Sequence, residues 1–181
     1  MKKQETPIQD AFLLLPEKYI DSRGWFMESW NKNVLKEKGI DFEFVQDNHS
    51  ASTAHVLRGL HYQLQRPQGK LIRVIKGEIL DVIVDLRKSS KSFGKTFSVG
   101  LDAKKGLQLW APPGVAHGFL SLSDEVECLY KVTEFYNPLD EHTIIWNDID
   151  LNINWGLGNF QPIISEKDLD GVCFKDAKYF D

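Results

Sequence analysis

Between residues 42 and 155 the sequence is a succession of short runs rich in β-branched and aromatic residues, each ended by Gly, Pro, Asn, Asp or Ser. Such runs predict strands, and close spacing with turn residues is typical of a sandwich or barrel. No crossover helix fits between neighbouring runs, so the strands should be mainly antiparallel. The strands are predicted at 44–47, 56–63, 70–76, 79–86, 96–101, 108–111, 118–123 and 126–133.

The clearest local pairing signal lies in the middle of the chain. A Gly-Glu dipeptide at 77–78 separates the strands predicted at 70–76 and 79–86, and a two-residue connection predicts a β-hairpin. In the second strand aliphatic residues alternate with Asp81 and Asp85. This alternation predicts one buried face and one polar face.

Helix is predicted to be a minor component at the periphery. One helix is expected over 30–38, stopped by Gly39, and a short one opens at Ser165, where Ser-Glu-Lys-Asp resembles a capping box. The chain has no internal repeat and no linker rich in Gly or Pro. Residues 1–181 are therefore expected to form one domain.

Composition and charge narrow the class of function. The 181 residues carry a formal net charge of -4, which argues against sequence-independent binding to nucleic acid. The two cysteines, Cys128 and Cys173, form no C-x-x-C pair and are expected to be reduced thiols. The N-terminus lacks a signal-peptide core, and no apolar run approaches the length of a membrane span. A cytoplasmic enzyme with a small-molecule substrate is the expectation.

The strand predicted at 56–63 contains two residues that suit chemistry, Arg58 and His61. On a regular strand the two would face opposite sides, so they can share a cavity only if the alternation breaks. Gly59 is the natural position for a β-bulge that would break it. The alternative is that His61 is a hydrogen-bonded core or surface histidine without a chemical role.

A second candidate is a tyrosine in the strand predicted at 126–133. Alternation places Tyr130 on the same face as Val126, Cys128 and Val132, so it should point inward. A buried tyrosine is often only a core residue with a hydrogen-bonded hydroxyl. Its interest here is that His61 could be its partner in chemistry.

The run 112–117 reads Pro-Pro-Gly-Val-Ala-His and resembles the second sequence signature of cupin barrels. Metal-binding cupins supply further ligands from a first signature, but the comparable strand here reads His61-Tyr62-Gln63. Lys70 also lies where negative ligands would be wanted, and an ammonium opposes a cation. We therefore expect an all-β cupin, or jelly-roll, barrel with no metal and no other cofactor.

Seven motifs in order extend the resemblance over nearly the whole chain. They are Asp-Ser-Arg-Gly at 21–24, Gln-Asp-Asn-His-Ser at 46–50, Leu-Arg-Gly-Leu-His-Tyr-Gln at 57–63, Gln-Gly-Lys at 68–70, Asp-Val-Ile-Val-Asp-Leu-Arg at 81–87, Pro-Pro-Gly-Val-Ala-His-Gly-Phe at 112–119 and Ser-Glu-Lys-Asp at 165–168. Together they resemble the dTDP-4-dehydrorhamnose 3,5-epimerases. The order and spacing of the set are specific, although each motif alone is weak.

The resemblance implies a role for each matching residue. His61 would be the general base, Asp168 the acid that orients it, and Tyr130 the general acid on the opposite face of the sugar. Lys70 would lie beside the sugar ketone and His117 would contact substrate. Tyr136 would stack on the thymine. The positions that match nucleotide- and diphosphate-binding residues are Arg23, Glu28, Gln46, Asp47, Asn48, Arg58, Glu141 and Lys167.

The resemblance also implies a reaction and an assembly. The substrate would be dTDP-4-dehydro-6-deoxy-D-glucose and the product dTDP-4-dehydro-L-rhamnose, formed through an enolate for dTDP-rhamnose biosynthesis. The family is dimeric and exchanges N-terminal elements between subunits, so some binding residues would complete the partner's site. Three alternatives remain open on the sequence: an epimerase that inverts C3 alone, a sugar-binding cupin without turnover, and a metal-dependent cupin oxygenase.

Overall fold

The structure is a computed structural model that describes residues 1–181. Strands predominate, with two short α-helices and one 3₁₀ turn, Phe174–Asp176. The strands are β1 (Lys2–Glu5), β2 (Phe12–Leu15), β3 (Lys18–Asp21), β4 (Gly24–Met27), β5 (Gln46–Thr53), β6 (Leu57–Gln63), β7 (Lys70–Lys76), β8 (Glu78–Asp85), β9 (Thr96–Asp102), β10 (Gln108–Ala111), β11 (Val115–Ser121), β12 (Glu125–Val132) and β13 (Glu141–Thr143). The helices are α1 (Lys32–Glu37) and α2 (Glu166–Leu169).

Two antiparallel sheets form the body of the protein. A six-stranded sheet has the order β1-β2-β10-β7-β12-β5, and a five-stranded sheet has the order β13-β6-β11-β8-β9. From β5 to β8 the chain changes sheet at every strand, and it does so again from β9 to β12. This alternation is the winding of a jelly roll. The prediction of an all-β fold with antiparallel strands is confirmed.

Three hydrophobic clusters hold the layers together. The largest lies between the two sheets and includes Ile72 and Ile83. A second covers the outer face of the five-stranded sheet, where Val84 packs with Trp155 of the C-terminal segment. The third joins Leu35 of α1 to the six-stranded sheet. Full burial of each such side chain contributes about 1.5–3 kcal/mol, so the clusters fix the strands that carry the cavity.

The predicted hairpin at 70–86 is wrong. β7 pairs with β10 and β12, whereas β8 pairs with β9 and β11 in the other sheet. Gly77 is the corner between the sheets: its φ is 74°, and a Cβ there would lie 2.3 Å from the carbonyl oxygen of Glu125. The Gly-Glu connection therefore turns the chain between layers instead of folding it back within one sheet.

The predicted polar face of β8 is also wrong, because both of its faces are buried. Asp81 and Asp85 are each 0% exposed. The carboxylate of Asp85 accepts hydrogen bonds from Arg87 Nε at 2.8 Å and from the hydroxyls of Ser90 and Ser92 at 2.6 Å. The carboxylate of Asp81 lies within hydrogen-bond distance of His117 on β11. The alternation of the sequence predicted that these aspartates face solvent, whereas in the folded protein they are buried and contact other side chains.

Most other predicted strands and both helices form within a few residues of the expected bounds. The exceptions are the strand expected at 44–47, which begins at Gln46 and continues to Thr53, and β1–β4 and β13, which were not predicted. Asn31 caps α1, and Gly39, with φ of 101°, follows its end. Ser165 Oγ accepts a hydrogen bond from the backbone N–H of Asp168 at 3.2 Å, as the capping-box motif predicts.

Neither α-helix has both the length and the apolar character that crossing a membrane requires.

Candidate active site

A cavity of about 690 Å³ lies between the two sheets. Strands of both sheets and the segment around α2 contribute its lining residues. Eleven of the fourteen predicted site residues line it: Gln46, Asn48, Arg58, His61, Lys70, His117, Tyr130, Tyr136, Glu141, Lys167 and Asp168. Five of the seven sequence motifs, far apart along the chain, therefore converge on one chamber, whereas those at 21–24 and 81–87 contribute no lining residue.

A β-bulge in β6 turns Arg58 and His61 toward this cavity, as predicted. His61 lies opposite His117 and Arg58 lies opposite Phe119, so β6 holds one residue more than β11 over the same stretch. Gly59 sits in the bulge with φ of 116°, and a Cβ there would lie 2.5 Å from the Cα of Gly118. The two strands can approach this closely because both residues at the contact are glycines.

The bulge also organises a buried histidine–aspartate pair. His61 Nε2 lies 2.7 Å from Asp168 Oδ1, and the backbone N–H of Gly59 donates to Asp168 Oδ2 at 3.1 Å. Burial raises the pKa of Asp168, but hydrogen bonds from His61, Gly59 and Ser165 outweigh it and hold that pKa below its usual value. Asp168 is thus an anion that fixes the orientation of the His61 ring through Nε2.

Tyr130 lines the cavity from the opposite wall, since β12 belongs to the six-stranded sheet and β6 to the five-stranded one. Burial raises the pKa of its phenol above the usual value, and the charge of Arg58 opposes that rise only in part. Tyr130 therefore keeps its proton at neutral pH. Its protonated hydroxyl and the imidazole of His61 thus line one cavity from different sheets.

Two further polar side chains lie at the closed end of the chamber. Lys70 is buried, and its Nζ donates to the backbone carbonyl of His61 at 3.3 Å. Burial lowers the pKa of Lys70 to about 8, against the opposing charge of Asp81. His117 Nε2 lies 2.9 Å from Asp81 Oδ2. This end of the cavity offers an ammonium and a fixed imidazole to a ligand oxygen.

Arg58 lies in the cavity wall without an acidic partner. Its Nε donates to Ser52 Oγ at 3.2 Å, and its Nη2 donates to the carbonyl of Ala51 at 3.2 Å. Neutral acceptors hold the guanidinium in place without cancelling its charge. A planar cation of this kind suits phosphate oxygens.

The exposed rim of the cavity carries an aromatic ring and an ion pair. Tyr136 donates its hydroxyl hydrogen to Glu141 Oε2 at 2.9 Å, and the ammonium of Lys167 contacts the same carboxylate oxygen. The backbone N–H of Tyr136 donates to Gln46 Oε1 at 3.1 Å, while Gln46 Nε2 donates to Asn48 at 2.8 Å. Tyr136 is 47% exposed, so its side chain is accessible to a ligand.

Three predicted binding residues do not line the cavity of their own chain. Asp47 alternates with Gln46 and Asn48 on β5, so its side chain points to the outer face and pairs with Lys131 at 2.9 Å. Arg23 pairs with Asp21 at the tip of the β3–β4 hairpin, and Glu28 accepts from Asn31. Two physical reasons keep these side chains out of this cavity: a strand directs adjacent side chains to opposite sides, and the β3–β4 hairpin lies outside the barrel. Their role in binding substrate stays a prediction.

The cavity also contains residues that the sequence did not single out, among them Ser50, Gln68 and Phe119. Ser50 could have been found, because it follows Asn48 by two positions on the same strand face. Asp81 does not line the cavity but lies behind it, where its Oδ2 is 2.9 Å from Nε2 of the lining residue His117, a contact between residues 36 positions apart that local pattern did not predict. At no point do three or more His, Cys, Asp or Glu side chains converge in a way that could hold a metal ion.

Comparison with known proteins agrees with the geometry. Residues 5–176 match the family model of dTDP-4-dehydrorhamnose 3,5-epimerase. The enzyme of that description from Shigella flexneri is 51% identical over 178 residues, which are 97% of each chain. The chain belongs to the dTDP-4-dehydrorhamnose 3,5-epimerase family. The expected resemblance is confirmed, and the protein is an isomerase.

Solved structures of the dTDP-4-dehydrorhamnose 3,5-epimerase family share the whole fold. The enzyme from Elizabethkingia anophelis superposes with a TM-score of 0.95 at 41% identity, covering 99% of both chains. The epimerase of Legionella pneumophila, solved in complex with dTDP-4-keto-L-rhamnose, has a TM-score of 0.94 at 41% identity and covers 98% of this chain and 94% of its own. The prediction of a cupin jelly roll is confirmed.

Proposed function

We propose that this chain inverts C3 and C5 of dTDP-4-dehydro-6-deoxy-D-glucose to give dTDP-4-dehydro-L-rhamnose, with His61 as base and Tyr130 as acid. One observation carries the assignment. His61, held by Asp168, and Tyr130 line a single cavity from strands of opposite sheets. A sugar ring between these walls meets a proton acceptor on one face and a proton donor on the other.

The chemistry follows from the acidity of hydrogens beside a ketone. His61 takes the proton from C3 or C5, and the electron pair of the broken C–H bond moves through the new C–C double bond onto the C4 oxygen. Asp168 stabilises the imidazolium that results, because its carboxylate already binds the Nε2 proton. The ammonium of Lys70 stabilises the enolate oxygen in a site shielded from water.

Inversion requires the proton to return from the other side. When the enolate collapses, carbon takes a proton from the hydroxyl of Tyr130, and the C4 ketone reforms. A base acting alone would return a proton to the face from which it came. The phenolate of Tyr130 and the imidazolium of His61 then recover their starting forms by proton exchange with solvent, and the cycle repeats at the second centre.

The open end of the cavity suits the nucleotide. Arg58 is free to bind the diphosphate, since only neutral acceptors hold it. Tyr136 offers a partly exposed ring for stacking on thymine, and Gln46 anchors its backbone. Binding energy from this remote group holds the sugar between base and acid.

The proposal includes a homodimer in which the β3–β4 hairpin carries Arg23 and Glu28 into the partner's cavity. The hairpin forms a two-stranded sheet of its own, with Trp25 and Phe26 more than half exposed. Exposed aromatic surface of this kind is typical of an interaction site. The proposal also places the enzyme in the cytoplasm as one catalytic domain over 1–181; the two free thiols fit a reducing compartment.

Mixing two inactive variants tests the exchange of arms. Arg23→Ala removes a residue supplied to the partner, whereas His61→Asn inactivates the chain's own cavity. Co-refolded mixtures should form heterodimers with one intact cavity and regain up to about a quarter of wild-type activity by random pairing. Sedimentation verifies the dimer. Mixtures as inactive as the separate variants would contradict the exchanged arm.

Solvent exchange tests the reaction itself. Wild-type protein is incubated in D₂O with dTDP-4-dehydro-6-deoxy-D-glucose, and ¹H NMR follows the signals of H3 and H5. Deuterium should enter at both positions, together with formation of the L-rhamno product. Label at C3 alone would replace the assignment by a C3 epimerase, and binding without any exchange would identify a sugar-binding protein.

A further inference from the structure

We propose that Asp81 is a positioning residue for the closed end of the cavity: one carboxylate oxygen orients His117, and its charge keeps Lys70 in the ammonium form. The proposal rests on the proposed function, because the ammonium matters only if an oxyanion develops beside it. Asp81 does not line the cavity itself. It would act through the two side chains that do.

The burial of Asp81 is the first observation. The residue is 0% exposed on β8, and its Oδ2 lies 2.9 Å from His117 Nε2. Its Oδ1 is buried without any hydrogen-bond partner. Leaving a buried acceptor unpaired costs stability, and the cost is larger for a charged group. Such an atom calls for an explanation, and its place behind the cavity points to an electrostatic one.

The other carboxylates of the cavity are already committed. Asp168 has one oxygen bonded to His61 and the other to a backbone N–H. Glu141 accepts from Tyr136 and contacts the ammonium of Lys167. Of the three carboxylates, only Asp81 has a buried oxygen without a hydrogen-bond partner, so its negative charge is the one left uncompensated inside the protein near Lys70.

Lys70 in turn needs a counter-ion. It is buried, no carboxylate lies within ion-pair distance, and its one hydrogen bond goes to the neutral carbonyl of His61 at 3.3 Å. Burial lowers the pKa of Lys70 to about 8, and the charge of Asp81 is what opposes a further fall. Without Asp81 the amine would lose its proton closer to neutral pH.

No other charged group can replace Asp81 in this role. The interior faces of β5 and β10 present no titratable side chain toward Lys70. The titratable groups that face the chamber from the remaining elements are Arg58 and His61 of β6, His117 of β11, Cys128 and Tyr130 of β12, Tyr136 between β12 and β13, Glu141 of β13, and Lys167 and Asp168 around α2. The anions among them are paired elsewhere, and the cations would only disfavour the ammonium.

The test compares pH profiles of kcat for wild type and Asp81→Asn, followed by solvent deuterium exchange. Because Lys70 must be protonated to stabilise the enolate, wild-type activity should fall as pH rises through about 8. Asp81→Asn removes the negative charge that favours the ammonium form of Lys70. The alkaline limb of its profile, the range in which kcat falls as pH rises, should therefore lie about 1 pH unit or more below that of wild type. The loss of kcat should accordingly be greater at pH 8 than at pH 6.

Asp85→Asn is the matched control, because Asp85 is an equally buried carboxylate on the same strand that does not contact the cavity. It should leave the alkaline limb in place. A folded Asp81→Asn variant with an unmoved limb would overturn the proposal, and Asp81→Ser, smaller and also neutral, supplies the same comparison if the amide fails to fold.

The pH profile of the wild-type enzyme alone also tests whether Lys70 acts as an ammonium. An alkaline limb below pH 7 would overturn the proposal, because Lys70 would then be uncharged under working conditions. Absence of exchange at every pH contradicts instead the proposed function. Exchange in wild type combined with an unmoved limb in Asp81→Asn contradicts only the role of Asp81.

Discussion

The protein contains two histidine–aspartate pairs on adjacent strands, and they differ in what surrounds them. His61 and His117 lie directly opposite each other on β6 and β11, and each directs Nε2 to a buried aspartate. The side chain of His61 is 25% exposed and that of His117 is 8% exposed. Asp168 has both oxygens hydrogen-bonded, whereas Asp81 has one oxygen without a partner.

Under the proposed function, this difference lets one arrangement of two residues serve two purposes. A base must touch the carbon-bound hydrogen and then give up its proton, so it has to be accessible, and its aspartate must be satisfied to stay fixed. A group that only shapes the charge around an oxyanion gains from being enclosed, since the field of a charge is stronger where water is excluded. Exposure, not residue type, separates the two roles.

The largest expected effect is a difference in kcat between variants of the two histidines. His61→Asn should lower kcat by about 10²–10⁴-fold, because the general base is lost. His117→Asn should cost about tenfold, since it removes only a hydrogen bond to substrate. Single-turnover kinetics with deuterium exchange measures both. Equal losses, or a larger loss in His117→Asn, would reverse the assignment of the base.

Tyr130→Phe should separate proton removal from inversion. The ring is kept, but the acid on the opposite wall is gone, so formation of the L-rhamno product should fall by about 10²-fold. Exchange of H3 with solvent should fall less, because His61 still removes and returns the proton on its own face. Tyr62→Phe is the control, as that buried hydroxyl only accepts from Lys178 N outside the cavity. Parallel loss of exchange and inversion would argue against Tyr130 as the acid.

The two aspartates should respond differently when stability is measured. The pKa of Asp168 is held below its usual value, so its stabilisation is present above the unfolded-state pKa and is lost as pH falls through the lower folded-state pKa. Asp168→Asn should therefore lower the free energy of unfolding at pH 7 by about 1.5–3 kcal/mol. The free energy of unfolding of Asp168→Asn should also change less between neutral and acid pH than that of wild type.

Asp81→Asn should cost less than Asp168→Asn, about 1 kcal/mol or below, because it also removes a buried charge with an unpaired oxygen. Urea denaturation of both variants from pH 3 to 7 makes the comparison. A greater cost at Asp81 would mean that its carboxylate has protein partners that are absent from the geometry described above.

The smallest effect concerns the nucleotide end. Tyr136→Ala should raise KM about tenfold, the usual worth of base stacking, and leave kcat within about twofold. Phe135→Ala is the matched control, since Phe135 is the neighbouring exposed aromatic and does not line the cavity. A selective fall in kcat would show that the ring of Tyr136 acts on the sugar and not on the base.

Sequence patterns predicted side-chain faces better than strand partners. Alternation correctly pointed Tyr130 inward, and Gly59 correctly marked the bulge that turns Arg58 and His61 to one cavity. Neither pattern states which sheet a strand joins, so Gly77 was mistaken for a hairpin turn. Strand pairing depends on contacts distant in sequence, and local residues do not encode them.

The error about the exposure of Asp81 has the same origin, and Asp47, whose binding role stays a prediction, shows the same limit. An aspartate between aliphatic residues suggests solvent until its partner is known, and His117 is far away in sequence. Asp47 was carried along with its neighbours in a contiguous motif, although a strand directs adjacent side chains to opposite sides. Motifs identify positions of interest, but the backbone decides which of them can meet.

The close contact between Gly59 and Gly118 has a consequence for protein engineering. The same glycine that bends β6 also donates its N–H to Asp168, so the orientation of the His61–Asp168 pair depends on backbone shape as well as on side chains. Grafting only a histidine and an aspartate onto another jelly roll would omit this support. A transplant would have to bring both glycines, because no larger residue lets the two strands meet there.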